Sequence, residues 1–154
     1  MLLLAGHGTA ALAQIALLSG TDLDGWVTSR NANRHASEGG VEANSGIFIR
    51  CADSGAISPN SCYEVNIFDR REGLTYRTGA ITDFAAPAAQ INRGGQWNTY
   101  EIRAESTRLL VTLNGTVTAD LEDSTHSEGP LTLQYFAGAV KFRNVQLTPL
   151  FDIG

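Results

Sequence analysis

The chain has 154 residues, which is enough for one domain with a hydrophobic core of its own. Its net charge of -5 excludes the basic surface that nucleic-acid binding requires, and no apolar run is long enough to cross a bilayer as a helix. Charged residues make up only 18% of the chain and glycine numbers 16, a mixture that is typical of a turn-rich β protein.

Residues 1–13 are apolar and end in the small residues Ala11-Leu12-Ala13. Small residues at this spacing are typical of a signal-peptidase site, although no positive charge precedes them, and a buried N-terminal strand or helix is the alternative. No linker, repeat or low-complexity segment follows. The sequence therefore predicts a signal-peptide remnant over 1–13, a single domain over 14–154, and a periplasmic or secreted location.

Short apolar runs separated by turn residues fill the rest of the chain, as in a β-sandwich. They predict strands at 46–50, 62–68, 97–104, 109–113, 116–121, 131–135 and 140–147. Asn114-Gly115 lies between two of these strands and indicates a hairpin, because both residue types tolerate positive φ. No later stretch keeps a helical period, so the predicted fold class is all-β.

Cys51 and Cys62 are the only two cysteines. In an exported protein they are able to close a small disulfide loop, and two buried free thiols are the alternative. Their spacing does not suit a structural zinc site, and His35 and His126, expected in polar loops with His126 exposed, make no metal-ligand spacing either. We therefore expect neither a metal nor a cofactor.

Eight motifs follow one another in an order that resembles a known family. They are LSGTDLDGW at 18–26, NSGIFIR at 44–50, YEVNIFD at 63–69, TGAI at 78–81, QWNTYEI at 96–102, LNG at 113–115, GPLTLQ at 129–134 and VKFRNV at 140–145. None is specific alone, but together they resemble the 3-keto-disaccharide hydrolase family. The resemblance implies a concanavalin-like jelly-roll β-sandwich whose members act on 3-keto-glycosides as lyases or hydratases outside the cytoplasm.

The chain departs from that family pattern in two places. Residues 27–41 are polar and glycine-rich where the family has two further strands, so the domain is predicted to be short of about two average strands near its N terminus. The family often has a histidine soon after the "LQ" motif, whereas Tyr135 follows Gln134 here. The role of that histidine is therefore not carried over.

The chemistry implied by the resemblance needs a base, a group that stabilises an enolate oxygen, and an acid. Glu64 is the first candidate for the base, because strand alternation places it on the face opposite Tyr63. Arg50 is the candidate for the enolate oxygen and Asp69 a second acid or base. The alternatives are a solvated or ion-paired Glu64, a structural Arg50 paired with a carboxylate, and an Asp69 that only forms a turn.

Three further residues are candidates for binding the substrate. Asn66 and Gln134 lie on predicted strands, where their amides either bind sugar hydroxyls or satisfy the backbone. Trp97 is either a platform for a sugar ring or a tryptophan of the sandwich core. Arg50 and Glu64 are expected to face one pocket, in which the guanidinium would lower the pKa of the Glu64 carboxyl.

The function predicted from the resemblance is that of a 3-keto-glycoside lyase or hydratase, with a small carbohydrate as its partner. The net reaction is hydrolysis of a 3-keto-disaccharide or 3-keto-glucoside. A non-catalytic carbohydrate-binding module is the first alternative, because a jelly roll hosts both functions. An inactive, truncated member of the family is the second.

Overall fold

The computed structural model describes residues 43–53, 55–70, 73–91 and 94–150, together with the backbone of Ile15 and Ala16. Within these residues the regular elements are β-strands and one 3-10 turn at Leu74–Tyr76. The predicted signal peptide and nearly all of the segment 27–43, where two strands were expected to be missing, lie outside the described residues. The all-β prediction is confirmed, and among the described residues there is no helix that is long and apolar enough to span a membrane.

The described part of the chain contains eight strands. They are β1 (Ile15–Ala16), β2 (Asn44–Ile49), β3 (Tyr63–Ile67), β4 (Tyr100–Glu105), β5 (Arg108–Leu113), β6 (Thr116–Glu122), β7 (Thr132–Ala137) and β8 (Gln146–Leu147). Two compact units divide the chain. One unit, 27–140, contains β2 to β7, and the other, 1–26 with 141–154, contains β1 paired antiparallel with β8. A single domain over 14–154 stays a prediction.

Two three-stranded antiparallel sheets form the larger unit. The first has the order β3-β2-β7 and the second the order β4-β5-β6. Asn114 and Gly115 join β5 to β6 with φ angles of 51° and 79°, as a tight hairpin turn with two left-handed residues requires. The predicted hairpin is therefore present.

The hydrophobic core lies between these two sheets. The first sheet contributes Ile49, Tyr63 and Val65, and the second contributes Leu109, Val111 and Ala119. All six are at most 8% exposed, and on β5 they alternate with less buried neighbours, which is the pattern of a strand with one face in a core. The unit is thus a β-sandwich, in agreement with the predicted jelly-roll class.

The disulfide predicted between Cys51 and Cys62 is present and closes the loop that joins β2 to β3. The two Cα atoms are 4.2 Å apart, and no free cysteine remains. Phe48 and Ile57 pack against the bridge in a second small apolar cluster. The loop therefore covers part of the face of the first sheet that points away from the core.

Three expectations about individual segments are wrong. The strand expected over 140–147 is only Gln146–Leu147, because Asn144 has a φ of 53° and extended pairing cannot pass through it. The strand expected from residue 97 begins at Tyr100, because the Thr99 N–H donates to the Asn114 side chain, 2.9 Å away, instead of to a ladder. His126 is only 8% exposed and its ring packs edge-on against Tyr63, with centroids 4.9 Å apart.

Candidate active site

Strand β3 is buried on both faces, of which one carries core residues and the other carries polar side chains. Tyr63 and Val65 point into the sandwich core. Glu64 and Asn66 alternate with them and lie on the outer face, where they are only 6% and 4% exposed. Burying a carboxylate and an amide is costly unless other polar groups or a ligand meet them. The outer face of β3 is therefore the candidate location of a functional site.

A cleft of about 290 Å³ lies over this outer face. Its lining comes from β2, β3, β7 and the loops beside them, and it consists of Asn44, Pro59, Glu64, Asn66, Tyr76, Thr82, Asp83, Gln134 and Phe136. The strand register explains the arrangement, because Gly46 pairs with Asn66 on one side and with Gln134 on the other. The structure thus brings together three of the residues singled out from the sequence, Glu64, Asn66 and Gln134.

Gly46 allows two of these side chains to approach the central strand closely. A methyl group in place of its hydrogen would lie 2.8 Å from Glu64 Oε1 and 3.2 Å from Gln134 Oε1. Any larger residue would push the carboxylate away, because such distances are shorter than ordinary van der Waals contacts. Glycine at this position keeps the Glu64 carboxylate and the Gln134 amide over the same part of the sheet.

Three buried oxygen atoms of the cleft residues have no hydrogen-bond partner among the described residues. They are Asn66 Oδ1, Thr82 Oγ1 and Gln134 Oε1. The orientation of the Asn66 amide is fixed, because one of the two N–H groups of its Nδ2 donates to the Tyr76 carbonyl at 2.7 Å. A buried polar group left without a partner costs roughly 1–3 kcal/mol. Hydrogen bonds to a bound ligand would remove this cost.

Thr82 and Phe136 are cleft residues that the sequence reasoning missed. Thr82 lies beside β3, because its N–H donates to the Glu64 carbonyl at 2.9 Å and the preceding Ile81 bridges to Val65. Phe136 is two residues after Gln134 on β7 and hence on the same face. Phe136 is 70% exposed. The alternation of faces along β7 could have predicted that Phe136 lies beside Gln134. No feature of the sequence around Thr82 predicts its position in the cleft.

Arg50 is not brought to the cleft lining. Strand β2 ends at Ile49, and Arg50 has a φ of 52°, so the alternation that would have placed it beside Phe48 has already stopped. Its charge instead acts on the Tyr63 hydroxyl. Burial, followed by the hydrogen bond to Asp123, raises the pKa of Tyr63, and the nearby Arg50 opposes that rise.

Asp69 is not part of the cleft lining and is held by hydrogen bonds. Its Oδ1 accepts from Thr78 Oγ1 at 2.5 Å and its Oδ2 accepts from the Gly94 N–H at 3.1 Å. Burial and the negative charge of Asp69 raise the pKa of Tyr100, whose hydroxyl donates to the Asn66 carbonyl at 3.2 Å. These contacts fit the alternative reading of Asp69 as a residue that stabilises a turn.

Trp97 belongs neither to the core nor to the cleft lining. It is 51% exposed and lies before the start of β4. The expectation of a core tryptophan is therefore wrong. Its use as a sugar platform in this cleft has no support from its position.

Among the described residues, the cleft lining contains two acidic residues and no basic one. Glu64 and Asp83 both contribute carboxylates, and Asp83 Oδ1 accepts a hydrogen bond from the Tyr76 hydroxyl at 2.5 Å. Across the described part of the chain, no group of three or more His, Cys, Asp or Glu side chains is placed to hold a metal ion. Among the described residues, the lining thus offers carboxylates together with neutral hydroxyl and amide groups to a ligand.

The family model of the 3-keto-alpha-glucoside-1,2-lyase-like domain matches residues 32–148, which is most of the chain and includes the whole cleft. The chain belongs to this family. No curated protein matches the chain. The matched residues include all the motifs between 44 and 145, so the resemblance that these motifs indicated is confirmed.

Two crystal structures from Parabacteroides distasonis ATCC 8503, each described as that of a candidate glycosyl hydrolase, are similar to this 3-keto-alpha-glucoside-1,2-lyase-like domain. The first is 23% identical with a TM-score of 0.49, over 54% of this chain and 46% of that one. The second is 18% identical with a TM-score of 0.48, over 55% of this chain and 45% of that one. In both cases the match spans under half the length of the other protein.

Proposed function

We propose that the cleft binds a 3-keto-glycoside and that Glu64 removes the proton from C2 of the sugar. The observation that carries this proposal is the buried Glu64 carboxylate in a cleft whose neighbouring oxygens, on Asn66, Thr82 and Gln134, have no partner among the described residues. Membership of the 3-keto-alpha-glucoside-1,2-lyase-like family supports the choice of substrate.

The proposed reaction uses the acidity that a ketone at C3 gives to the neighbouring proton. Glu64 takes the C2 proton, the electrons of the C–H bond form the enolate, and the bond from C1 to the leaving oxygen then breaks. The leaving oxygen takes up a proton and departs as an alcohol. Addition of water across the resulting double bond makes the overall reaction a hydrolysis. A carboxylate is a weak base, but it is sufficient because the ketone has already acidified C2.

Replacement of Glu64 by glutamine tests the proposal. Glu64→Gln keeps the size of the side chain and removes its basicity, so turnover of a 4-nitrophenyl 3-keto-glucoside should fall by roughly a hundredfold or more. Release of nitrophenol measures the rate, and the melting temperature verifies that the variant is folded. Glu101→Gln is the matched control, because Glu101 lies exposed on β4, and it should behave as the wild type does. A folded Glu64→Gln variant with the wild-type rate would remove Glu64 from the mechanism.

A non-catalytic carbohydrate-binding domain is the second candidate, and the exposure of Phe136 at the cleft favours it. An aromatic ring contributes a large apolar contact surface to an interface, which binding alone is able to use. The same assay distinguishes the two candidates. A protein that binds a methyl glucoside and never releases nitrophenol from either anomer of the 3-keto substrate is a binding domain. Neither binding nor turnover would indicate an inactive family member.

A further inference from the structure

We propose that Asp83 is a second base of the reaction and takes the proton of the water molecule that adds to C1 of the sugar. This inference rests on the proposed function, because it assigns a residue to the hydration half of the same reaction. The elimination half ends with a protonated Glu64 and a 1,2-unsaturated 3-keto sugar, called the enone below. Asp83 is the second carboxylate among the described residues of the cleft lining.

The hydration half needs a base other than Glu64. After the elimination Glu64 carries the proton from C2, so it is unable to accept another. Water attacks C1, a C–O bond forms, and the electrons of the double bond move onto the ketone oxygen as an enolate. Asp83 accepts the proton that the attacking water loses, and Glu64 returns its proton to C2 as the ketone forms again. Asp83 then releases its proton to solvent, which balances the proton that the leaving oxygen took up.

A tight turn between Ile81 and Ala85 brings Asp83 to the cleft beside β3. The Ala85 N–H donates to the Ile81 carbonyl at 2.8 Å, and the Thr82 N–H donates to the Glu64 carbonyl at 2.9 Å. Asp83 is therefore adjacent in the chain to a residue that is hydrogen-bonded to the backbone of Glu64. The two carboxylates reach one cleft from neighbouring segments.

The backbone conformation of Asp83 explains why its side chain lies in the cleft. Side chains alternate between the two faces of an extended segment, so Asp83 would share the core face with Ile81 if the segment stayed extended. Its φ is instead 66°, in the left-handed region that Asp and Asn tolerate better than most residues. The extended segment ends here, and Asp83 lines the cleft. Conformations of this kind cluster at functional sites.

Tyr76 holds the Asp83 carboxylate in one orientation. The Tyr76 hydroxyl donates to Asp83 Oδ1 at 2.5 Å, and no residue in the described part of the chain donates to Asp83 Oδ2. Asp83 is an exposed residue of the cleft lining, so solvent water has access to this carboxylate. One oxygen is anchored and the other is available to accept a proton, as a positioned general base requires. Tyr76 is thus a positioning residue for Asp83.

Hydration of the enone, measured apart from the elimination, tests the role of Asp83. Mild base converts the 4-nitrophenyl 3-keto-glucoside to the enone, and loss of the near-ultraviolet absorbance of its conjugated double bond reports hydration to the 3-keto sugar. Asp83→Asn removes the base and keeps a residue type that tolerates a left-handed φ, so the hydration rate should fall by roughly a hundredfold. Asp120→Asn is the matched control and should hydrate the enone as the wild type does, because Asp120 is exposed on β6 and lies outside the lining.

Chemical rescue distinguishes a base from a residue that only shapes the cleft. Asp83→Gly removes the carboxylate, and glycine adopts a positive φ without strain. Added formate should raise the hydration rate of this variant severalfold and leave that of the wild type unchanged, because it supplies the missing carboxylate. Tyr76→Phe keeps the carboxylate and removes its anchor, so it should slow hydration roughly two- to tenfold and raise the proportion of enone among the products.

The outcomes separate this inference from the proposed function. The melting temperature verifies folding, and if Asp83→Asn does not fold, Asp83→Gly decides. A folded variant with the wild-type hydration rate, or an Asp83→Gly variant that formate does not accelerate, overturns the role of Asp83. A wild type that releases nitrophenol but does not hydrate the enone also overturns it and leaves the elimination by Glu64 standing. Wild-type nitrophenol release by Glu64→Gln overturns the proposed function, and the enone assay still decides the role of Asp83.

Discussion

Glu64 and Asp69 are carboxylates only a few residues apart, yet their surroundings give them different tasks. Both oxygens of Asp69 accept hydrogen bonds, from Thr78 and from the backbone of Gly94. Glu64 faces the cleft next to oxygens of Asn66 and Gln134 that have no partner among the described residues. The first carboxylate stabilises a loop, and the second is the base of the proposed reaction.

We expect Asp69→Asn to reduce stability and to leave turnover nearly unchanged. An amide accepts on only one of its two terminal atoms, so one charged hydrogen bond is lost, at a cost of about 1–3 kcal/mol in the free energy of unfolding. Urea denaturation measures the loss, and nitrophenol release measures the rate per folded molecule. If Asp69→Asn were as stable as the wild type but had a rate as low as that of Glu64→Gln, Asp69 would be an acid or base of the reaction.

At the scale of the elements, alternation along a strand was the most informative signal in the sequence. It placed Glu64 and Asn66 together because Tyr63 and Val65 are core residues, and the register with β2 and β7 brought Gln134 beside them. Alternation failed at Arg50, where a left-handed φ ends the strand. No local pattern encodes that change of direction, nor the pairing of the segment at Thr82 with β3, which depends on contacts between distant parts of the chain.

The loop between Cys51 and Cys62 links the stability of β2 and β3 to the shape of the cleft. The bridge packs against Phe48 and Ile57, and Pro59 of the same loop lines the cleft. Reduction of the disulfide would free Pro59 and the rest of this loop to move away from the cleft. The loop is therefore part of the site as well as part of the fold.

Replacing both cysteines by serine should lower the free energy of unfolding by about 3 kcal/mol, as expected for a short closed loop. It should also weaken the binding of methyl glucoside, because Pro59 is no longer held in place. Denaturation and calorimetry measure the two effects, and reduction of the wild type should reproduce them. Stability that does not change on reduction would show that the bridge contributes nothing.

The disulfide also supports the proposal that the protein is exported, because such bonds persist in oxidising compartments. Alkylation without reductant, followed by mass spectrometry, tests it on protein purified from the periplasm or the medium. We expect no alkylated cysteine. Two alkylated cysteines would contradict both the bond in that compartment and the location.

At the scale of the whole sandwich, the Tyr63 hydroxyl connects the first sheet to the loop that follows the second. It donates to Asp123 Oδ1 at 2.5 Å and accepts from the His126 N–H at 3.1 Å. Asp123 comes directly after β6. The hydrogen bonds from Tyr63 and Thr125 hold the pKa of the Asp123 carboxyl below its usual range.

This link predicts a loss of stability in acid. Because the pKa of Asp123 is lower in the folded protein than in the unfolded chain, its contribution is present above the unfolded value of about 3.9 and is lost as the pH falls through the folded value. Asp123→Asn and Tyr63→Phe should both flatten the dependence of the free energy of unfolding on pH below about pH 4. Urea denaturation at several pH values measures this slope. A wild-type slope in both variants would contradict the role of the link.

The fold class could be predicted from the sequence, because alternating runs of strand and turn residues are typical of a β-sandwich. The burial of His126 could not be predicted from the sequence, because its neighbours along the chain are polar and suggested exposure. Its ring instead packs against Tyr63 and Phe84, which are both distant along the chain. The same limitation applies to the cleft. Its residues come from four separate stretches of the chain, and only the packed sheet brings them together.

The two buried faces of β3 also limit how this protein can evolve. Core residues and cleft residues alternate within five consecutive positions, so the insertion or deletion of one residue would exchange them and move Glu64 into the core. Point substitutions at the cleft positions leave the alternation intact. Diversification of this site is thus expected to proceed by substitution within β3 and by changes of length in the loops around it, where the extra backbone remains at the surface.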